Sequence, residues 1–173
     1  MSGNDSEAQS GYDFPVYGLG DSSFYVLHVL AISCISLSLI CASITLAMSF
    51  TAKSRREFFD DRQKRNRFVV YMAFCDGLFN VCHLADHFHV LIGKDHVYPK
   101  KLCVFYAFDL LETMLAQNLL VNVIAVNAFA LMYFNYNLSF GKWDWRLHAW
   151  IFGVPFACAV GATAADTLGP SGA

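Results

Sequence analysis

An uninterrupted apolar run near the N-terminus limits what this chain can fold into more than any other feature. Residues 24–50 read FYVLHVLAISCISLSLICASITLAMSF and contain no Lys, Arg, Asp or Glu. A helix of about 20 apolar residues crosses the roughly 30 Å hydrocarbon core of a bilayer. Because lipid offers no hydrogen-bond partner to an open backbone, the run predicts a transmembrane α-helix.

Three further segments have the length and apolar character of membrane helices. Residues 147–165 carry no formal charge, and membrane helices tolerate the Gly and Pro that they contain. Residues 68–85 carry one formal charge, Asp76, which fits a span with one functional acid better than a soluble helix. The chain, with 56% hydrophobic residues, is therefore predicted to be an all-α membrane protein with four transmembrane helices. The predicted transmembrane region covers residues 24–168, with spans at 24–50, 68–92, 103–136 and 147–168.

Basic residues in the connecting segments predict the orientation. Residues 51–67 hold seven of the twelve Lys and Arg residues, residues 137–146 hold two, and residues 93–102 hold three. Since short cytoplasmic loops carry the excess of basic residues, the N-terminus is predicted to lie outside. Residues 1–23 then form an acidic extracellular tail, and residues 169–173 start an outer loop. The first cytoplasmic loop contains Arg55, Arg56, Arg62, Lys64, Arg65 and Arg67, which fix the topology and contact anionic lipid in the simplest interpretation.

Polar residues form a stripe on the second predicted helix. Asp76, Asn80, His83 and His87 fall within about 60° of one another on a helical wheel. Charged and amide groups are costly in lipid, so the stripe is expected to face the interior of a bundle. Counting along the helix places Asp76 near the bilayer midplane and the histidines, with His89, at the outer edge.

The third predicted helix carries two acids and a series of amides. Asp109 and Glu112 lie near its outer end, where they can pair with His83 or His87 or bind a cationic group of a ligand. An ion pair that only orients two helices explains them equally well. The amides further along can bond across helices, and they are Gln117, Asn118, Asn122 and Asn127.

A metal or haem site is an alternative interpretation of the histidines. His83 and His87 are four residues apart and can face one metal, with Asp86 orienting an imidazole. Such a site needs further ligands, and the third helix has no histidine; His28 and His148 are the other histidines within predicted spans. A cluster of interfacial histidines is the simpler interpretation, so no metal and no cofactor is expected.

Two stretches resemble a known receptor family. RNRFVVYMAFCDGLFN, residues 65–80 with the preceding basic loop, resembles the start of the second helix in the cyclic-AMP-receptor-like group of seven-helix G-protein-coupled receptors. Asp76 matches that group's mid-membrane acid. FGVPFACAV resembles its W-G-x-P segment, with Gly153 and Pro155 matching and Phe152 in place of the Trp. Cys103 matches the receptor cysteine that bonds a second-outer-loop cysteine, and that partner is not in the sequence. The D-R-Y triplet of rhodopsin-like receptors is absent, since residues 133–137 read YFNYN.

The resemblance covers the first four helices and implies a function. It implies a plasma-membrane receptor that binds a small-molecule or peptide ligand outside and a heterotrimeric G protein inside. The implied ligand-pocket residues are His83, His87, Asp109 and Glu112, and the implied mid-membrane polar switch is Asp76, Asn80, Asn118 and Asn122. The sequence ends where an outer loop is expected, which suggests a fragment or truncated product with little signalling of its own.

Other functions fit the sequence less well. The chain has no Gly-rich phosphate loop, no G-x-S-x-G motif and no C-x-x-C pair, so an enzyme is not expected. A net charge of −2 and the clustering of basic residues in short blocks argue against nucleic-acid binding. A self-sufficient four-span adaptor or transporter-like protein remains the main alternative, followed by a haem-binding membrane cytochrome.

Overall fold

The computed structural model describes residues 11–51 and 64–170, and these residues form four long α-helices. The helices are α1 (Ser23–Thr51), α2 (Lys64–Gly93), α3 (Lys100–Phe134) and α4 (Trp145–Ala164). Two short 3-10 turns lie at Gly11–Asp13 and Lys142–Asp144, and no strand occurs in the described residues. Each helix is long and apolar enough to cross a membrane, which confirms the predicted all-α membrane fold.

The helix ends differ from the predicted ones by a few residues. α2 begins at Lys64, so Lys64, Arg65 and Arg67 belong to the helix and not to the basic loop. Arg55, Arg56 and Arg62 lie outside the described residues. α3 stops two residues early because Asn135 takes a left-handed conformation, with φ 48°, that caps the helix. With 35 residues α3 is about 52 Å long and extends beyond the hydrocarbon core of a bilayer.

The helices run up and down, each packed against the next in chain order. We call the end that holds Ser23, Gly93, Lys100 and Ala164 the upper end, and the opposite end the lower end. A core at the lower end joins α2, α3 and α4 through Phe68, Leu120, Leu147 and Ile151. A smaller core at the upper end joins the α2–α3 connection to α3 through Val97, Cys103 and Tyr106.

Most of the apolar surface of the helices is not covered by protein. Only 11% of the apolar window of α1 and of α3 is buried inside the chain. Leu30, Leu37 and Met48 of α1 are each more than 60% exposed. A surface this apolar is stable against lipid tails and unstable in water. The chain is therefore an integral membrane protein whose helices face a lipid bilayer.

A buried ion pair ties the lower ends of α2 and α4 together. Arg67 Nε donates to Asp144 Oδ2 over 2.7 Å, and a second guanidinium nitrogen lies 3.3 Å from Asp144 Oδ1. The hydroxyl of Tyr71 donates to Asp144 Oδ2 over 3.0 Å. Both charged side chains are less than 5% exposed. Arg67 was predicted to be a loop cation, and the structure corrects this, because it pairs inside the bundle with Asp144 of the α3–α4 connection.

The ion pair holds a turn of unusual backbone conformation. Trp143 and Asp144 have φ values of 62° and 54°, in the left-handed region that costs a non-glycine residue about 1–3 kcal/mol. Gly141, with φ 80°, adopts a conformation open to glycine, and a Cβ there would lie 2.8 Å from Trp145 Nε1. Contacts of Asp144 with Arg67 and Tyr71 offset the strain and set where α4 begins.

Removal of the arginine charge is expected to destabilise the bundle. The substitution Arg67→Met leaves Asp144 buried without a counter-charge and is expected to lower the free energy of unfolding by about 3–5 kcal/mol. The matched control is Lys100→Met, because Lys100 and Asp166 form an exposed pair at 3.3 Å that contributes at most about 1 kcal/mol. Denaturant titration of the chain in detergent micelles, followed by circular dichroism, measures both. Equal losses for the two variants would contradict the assignment.

Candidate functional site

A polar cluster joins α1 and α2 near the middle of the bundle. Ser38 Oγ donates to Asp76 Oδ2 over 2.9 Å, and Asn80 Nδ2 donates to Ser38 Oγ over 3.0 Å. Asn80 is buried, and Asp76 and Ser38 are half-buried. The stripe predicted on the second helix therefore turns inward at Asp76 and Asn80, towards α1.

Ser38 was not predicted from the sequence, and the other hydroxyls of α1 explain why. Ser33, Ser43 and Ser49 each donate to the backbone carbonyl four residues earlier in their own helix. Such local bonds satisfy a hydroxyl without any partner helix. Which of several serines crosses to a neighbour depends on how two helices are rotated against each other, and no spacing within α1 contains that information.

The amides of α3 do not join the Ser38–Asp76–Asn80 cluster. Asn118 and Asn122, predicted to share a switch with Asp76, are exposed on a face of α3 that no part of the described chain covers. Gln117 and Asn127 turn inward instead. Gln117 Nε2 and Asn127 Oδ1 are buried and have no hydrogen-bond partner among the described residues.

A groove of about 490 Å³ runs between α1, α2 and α3 towards the lower end. Its lining is mainly apolar, from residues such as Ala42, Phe68 and Ile124. Its polar members include Thr45, Asp76 and Gln117. The groove therefore places the mid-depth acid beside an amide that lacks a partner.

Three histidines form a chain near the upper end. His28 Nδ1 lies 2.8 Å from His87 Nδ1, and His87 Nε2 lies 3.2 Å from His83 Nε2. The partner of His87 is on α1, whereas the sequence predicted a partner on the third helix, Asp109 or Glu112. Because α1 and α2 are antiparallel, the start of α1 lies beside the end of α2. The predicted up-and-down topology was therefore the signal that could have placed His28 near His87.

Asp109 and Glu112 do not pair with these histidines. Among the described residues, no ion pair links either acid to His83 or His87. Asp109 lies beside the thiol of Cys82 on α2, and its Oδ2 atom is buried without a hydrogen-bond partner. Glu112 is half-buried on the next turn. One turn nearer the upper end, the Tyr106 hydroxyl of α3 lies 3.1 Å from His89 Nδ1 of α2.

A second cavity, of about 250 Å³, lies at the upper end next to the histidine chain. His28, Asp86, His87, His96 and Cys103 supply its polar lining, and Val16, Tyr17 and Pro170 line it from the terminal segments. Of the four predicted ligand-pocket residues, only His87 lines this cavity. Asp86, predicted only to orient a metal-bound imidazole, is the acid in its lining.

The N-terminal segment is fastened over this upper cavity. Tyr12 donates its hydroxyl to the Val97 carbonyl over 3.2 Å, and His96 Nε2 donates to the Phe14 carbonyl over 2.7 Å. Burial, with a smaller contribution from the Cys103 thiol, raises the pKa of Tyr12 to about 12, so the hydroxyl keeps its proton. Part of the predicted extracellular tail thus packs as a cover.

The histidines do not converge on a metal position. Their ring nitrogens face one another in pairs, and within residues 11–51 and 64–170 no group of three or more His, Cys, Asp or Glu side chains is placed to hold a metal ion. His148 lies elsewhere, against the ring of Tyr71 at the lower end.

The remaining predicted site residues have structural positions. Cys103 is a free, buried thiol in the wall of the upper cavity. Pro155 is fully buried inside α4, whereas Gly153 is exposed and a Cβ there would meet open space. Pro155 therefore packs within the bundle, whereas Gly153 leaves the backbone of α4 exposed.

No protein-family model, no curated protein and no solved structure matches this chain. What can be inferred about function therefore rests on the geometry above and on the two short stretches that resemble a receptor family.

The Ser38 bridge is expected to contribute measurably to stability. Ser38→Ala removes a hydrogen bond of Asp76 and one of Asn80, and we expect a loss of about 1–3 kcal/mol in the free energy of unfolding. Ser43→Ala is the matched control, because that hydroxyl bonds only to the Leu39 carbonyl of its own helix. Denaturant titration in micelles measures both, and a loss no larger for Ser38→Ala than for Ser43→Ala would show that the bridge is not formed.

Proposed function

We propose that the chain supplies the first four helices of a seven-helix G-protein-coupled receptor of the cyclic-AMP-receptor-like kind. In this proposal the upper end faces outside and holds a ligand in the upper cavity. The lower end faces the cytoplasm, where a heterotrimeric G protein docks. One observation carries the proposal beyond the sequence resemblance: the exposed amide face of α3.

That face is defined by Met114, Asn118, Asn122, Ala125 and Phe129. These residues follow one another at intervals of three and four, and all five are exposed. Residues so spaced lie on one side of a helix. An unsatisfied polar group in the hydrocarbon core costs several kcal/mol, so two amides one turn apart call for a protein neighbour. Additional receptor helices packed against α3 supply that neighbour.

The groove between α1, α2 and α3 supports the same conclusion. It is apolar and has Asp76 and the unpartnered Gln117 amide in its wall. A further helix lying there with one hydrogen-bonding side chain satisfies the Gln117 amide. The groove and the amide face of α3 together leave room for more than one helix.

The proposed mechanism links the two ends through helices that pack in discrete arrangements. A ligand in the upper cavity contacts α1, α2 and α3 through His28, His87 and Cys103. The ligand shifts the equilibrium between two helix arrangements only if it binds one of them more tightly than the other. The Ser38–Asp76–Asn80 cluster then lies between the ligand and the lower end, in the position of a polar switch.

The alternative is a self-sufficient four-span adaptor or transporter-like protein. In that case a second copy of the chain covers Asn118 and Asn122. The two proposals therefore differ in what lies against α3, and this difference is accessible to experiment.

The orientation can be measured directly. An epitope tag at the N-terminus is expected to bind antibody on intact cells, because the segment after α1 carries the basic residues that stay in the cytoplasm. A tag inserted after residue 58 is the matched control and is expected to bind only after permeabilisation. The reverse labelling pattern would place the upper end in the cytoplasm and remove the basis for an extracellular ligand.

The receptor proposal is tested with the complete transcript. We expect the transcript to encode further apolar segments after Ala173, and its product to activate a G protein in a dissociation assay. Residues 1–173 alone are expected to give no activation, because the missing helices cover α3. A transcript that stops at Ala173, or G-protein activation by residues 1–173 alone, would contradict the proposal.

A further inference from the structure

The three histidines near the upper end use their ring nitrogens in an unusual way. Both nitrogens of His87 are engaged, Nδ1 with His28 on α1 and Nε2 with His83 on its own helix. The rings of His28 and His87 meet edge to face with centroids 5.0 Å apart, and those of His83 and His87 lie 4.8 Å apart. The three rings form a continuous chain across the α1–α2 interface.

Each link in this chain needs one proton. A neutral imidazole has one N–H group and one bare nitrogen, so a nitrogen–nitrogen contact at 2.8 Å requires one donor and one acceptor. Both links are satisfied when His83 donates to His87 and His87 donates to His28. This arrangement leaves His83 Nδ1 as a bare acceptor, and that atom is indeed buried without a partner. The opposite arrangement would bury an N–H group there unpaired, which costs more.

The chain can hold one extra proton without breaking. If the bare Nδ1 of His83 takes it, His83 still donates to His87 and His87 still donates to His28. A second extra proton has no such place, because His28 or His83 would then point an N–H group at an N–H group of His87. The two neighbouring rings would also both be cationic. The doubly charged chain therefore loses at least one link.

Groups from every neighbouring element face this chain. On α2, Asp86 is the acid in the cavity wall, and it lies close enough to His28, His83 and His89 to interact with their charge. The terminal and connecting segments bring Tyr17 and His96, and α3 brings Cys103. Phe24 and Phe79 pack against the outer two rings. The carboxylate of Asp86 attracts a proton to the chain, and the apolar rings limit its hydration.

We propose that His28, His87 and His83 form a proton-binding site, and that uptake of a second extra proton separates the upper ends of α1 and α2 and opens the upper cavity. The ligand is the proton itself, taken from water by a bare imidazole nitrogen. The contacts of Ser38 lie ten residues further along α1, about 15 Å away, and stay closed. The inference does not depend on a receptor function.

Nitrogen NMR tests whether the chain exists. In the full chain with ¹⁵N-labelled histidine in lipid nanodiscs, a nitrogen–nitrogen coupling across the His28–His87 link is expected at about pH 8. It is expected to disappear only below about pH 4, because apolar surroundings disfavour a charged imidazole. His28→Phe is expected to remove that coupling and keep the His83–His87 one. His148→Phe, at the far end of the bundle, is the control that leaves both couplings unchanged. Absence of any coupling at the higher pH would overturn the proposal.

Thiol labelling tests whether the cavity opens. The parent chain and each histidine variant retain Cys103 as their single cysteine. The reagent reaches both faces of a nanodisc, so the result does not depend on the orientation of the protein. Near neutral pH, the His28→Phe chain is expected to react about fivefold faster than the parent chain, the change that loss of one hydrogen bond produces. Below about pH 4 the two rates are expected to converge, because acid breaks the same link in the parent. The variant and the parent are compared at the same pH, so the effect of pH on thiol ionisation, which is the same in both chains, cancels.

His87→Phe serves as the second variant if His28→Phe does not fold, and circular dichroism of each chain establishes its helical content. His148→Phe is expected to label like the parent chain at both pH values. A rate ratio between the His28→Phe or His87→Phe chain and the parent that does not change with pH would overturn the proposal.

Discussion

The arrangement of the lower half of the bundle depends on the buried contact between Arg67 and Asp144. Two charged groups that are almost fully buried cannot be separated without leaving one of them unpaired, so the contact is essentially fixed once formed. It sets the distance between the start of α2 and the start of α4. The apolar core of Phe68, Leu120, Leu147 and Ile151 packs directly beside it, and the strained turn before α4 is held by it.

Polar contacts determine how α1 lies against α2. Between helices in lipid the hydrophobic effect gives no preference for one face over another, because lipid tails are as apolar as the side chains. Two sets of contacts supply that preference, Ser38 with Asp76 and Asn80 in the middle and His28 with His87 at the upper end. A rotation of either helix would break both sets. The packing of α1 against α2 is thus fixed by polar contacts at two depths in the membrane.

The sequence predicted properties that belong to one helix and missed those that need two. Four charge-free or nearly charge-free runs were sufficient to predict the four helices, because only a helix satisfies its backbone within lipid. The inward direction of Asp76 and Asn80 followed from their spacing. The pairing of His28 with His87 and the role of Ser38 depend on the relative rotation of two helices, which periodicity does not encode. Asn118 and Asn122 were predicted to share a polar switch with Asp76 because they lie at a similar depth in the membrane. Depth does not determine which side of α3 they occupy. The count of basic residues that predicts topology does not distinguish Arg67 from the other cations near it. Arg67 differs because the α3–α4 connection, which contains Asp144, packs beside it.

In the proposed receptor, further helices of the same polypeptide cover the amide face of α3. Photo-crosslinking from an unnatural amino acid at Asn122, in the protein expressed from its own transcript in membranes, tests this most directly. Crosslinks are expected to a segment encoded after Ala173 within the same polypeptide. A crosslink between two copies at Asn122, or crosslinks to lipid alone, would contradict it.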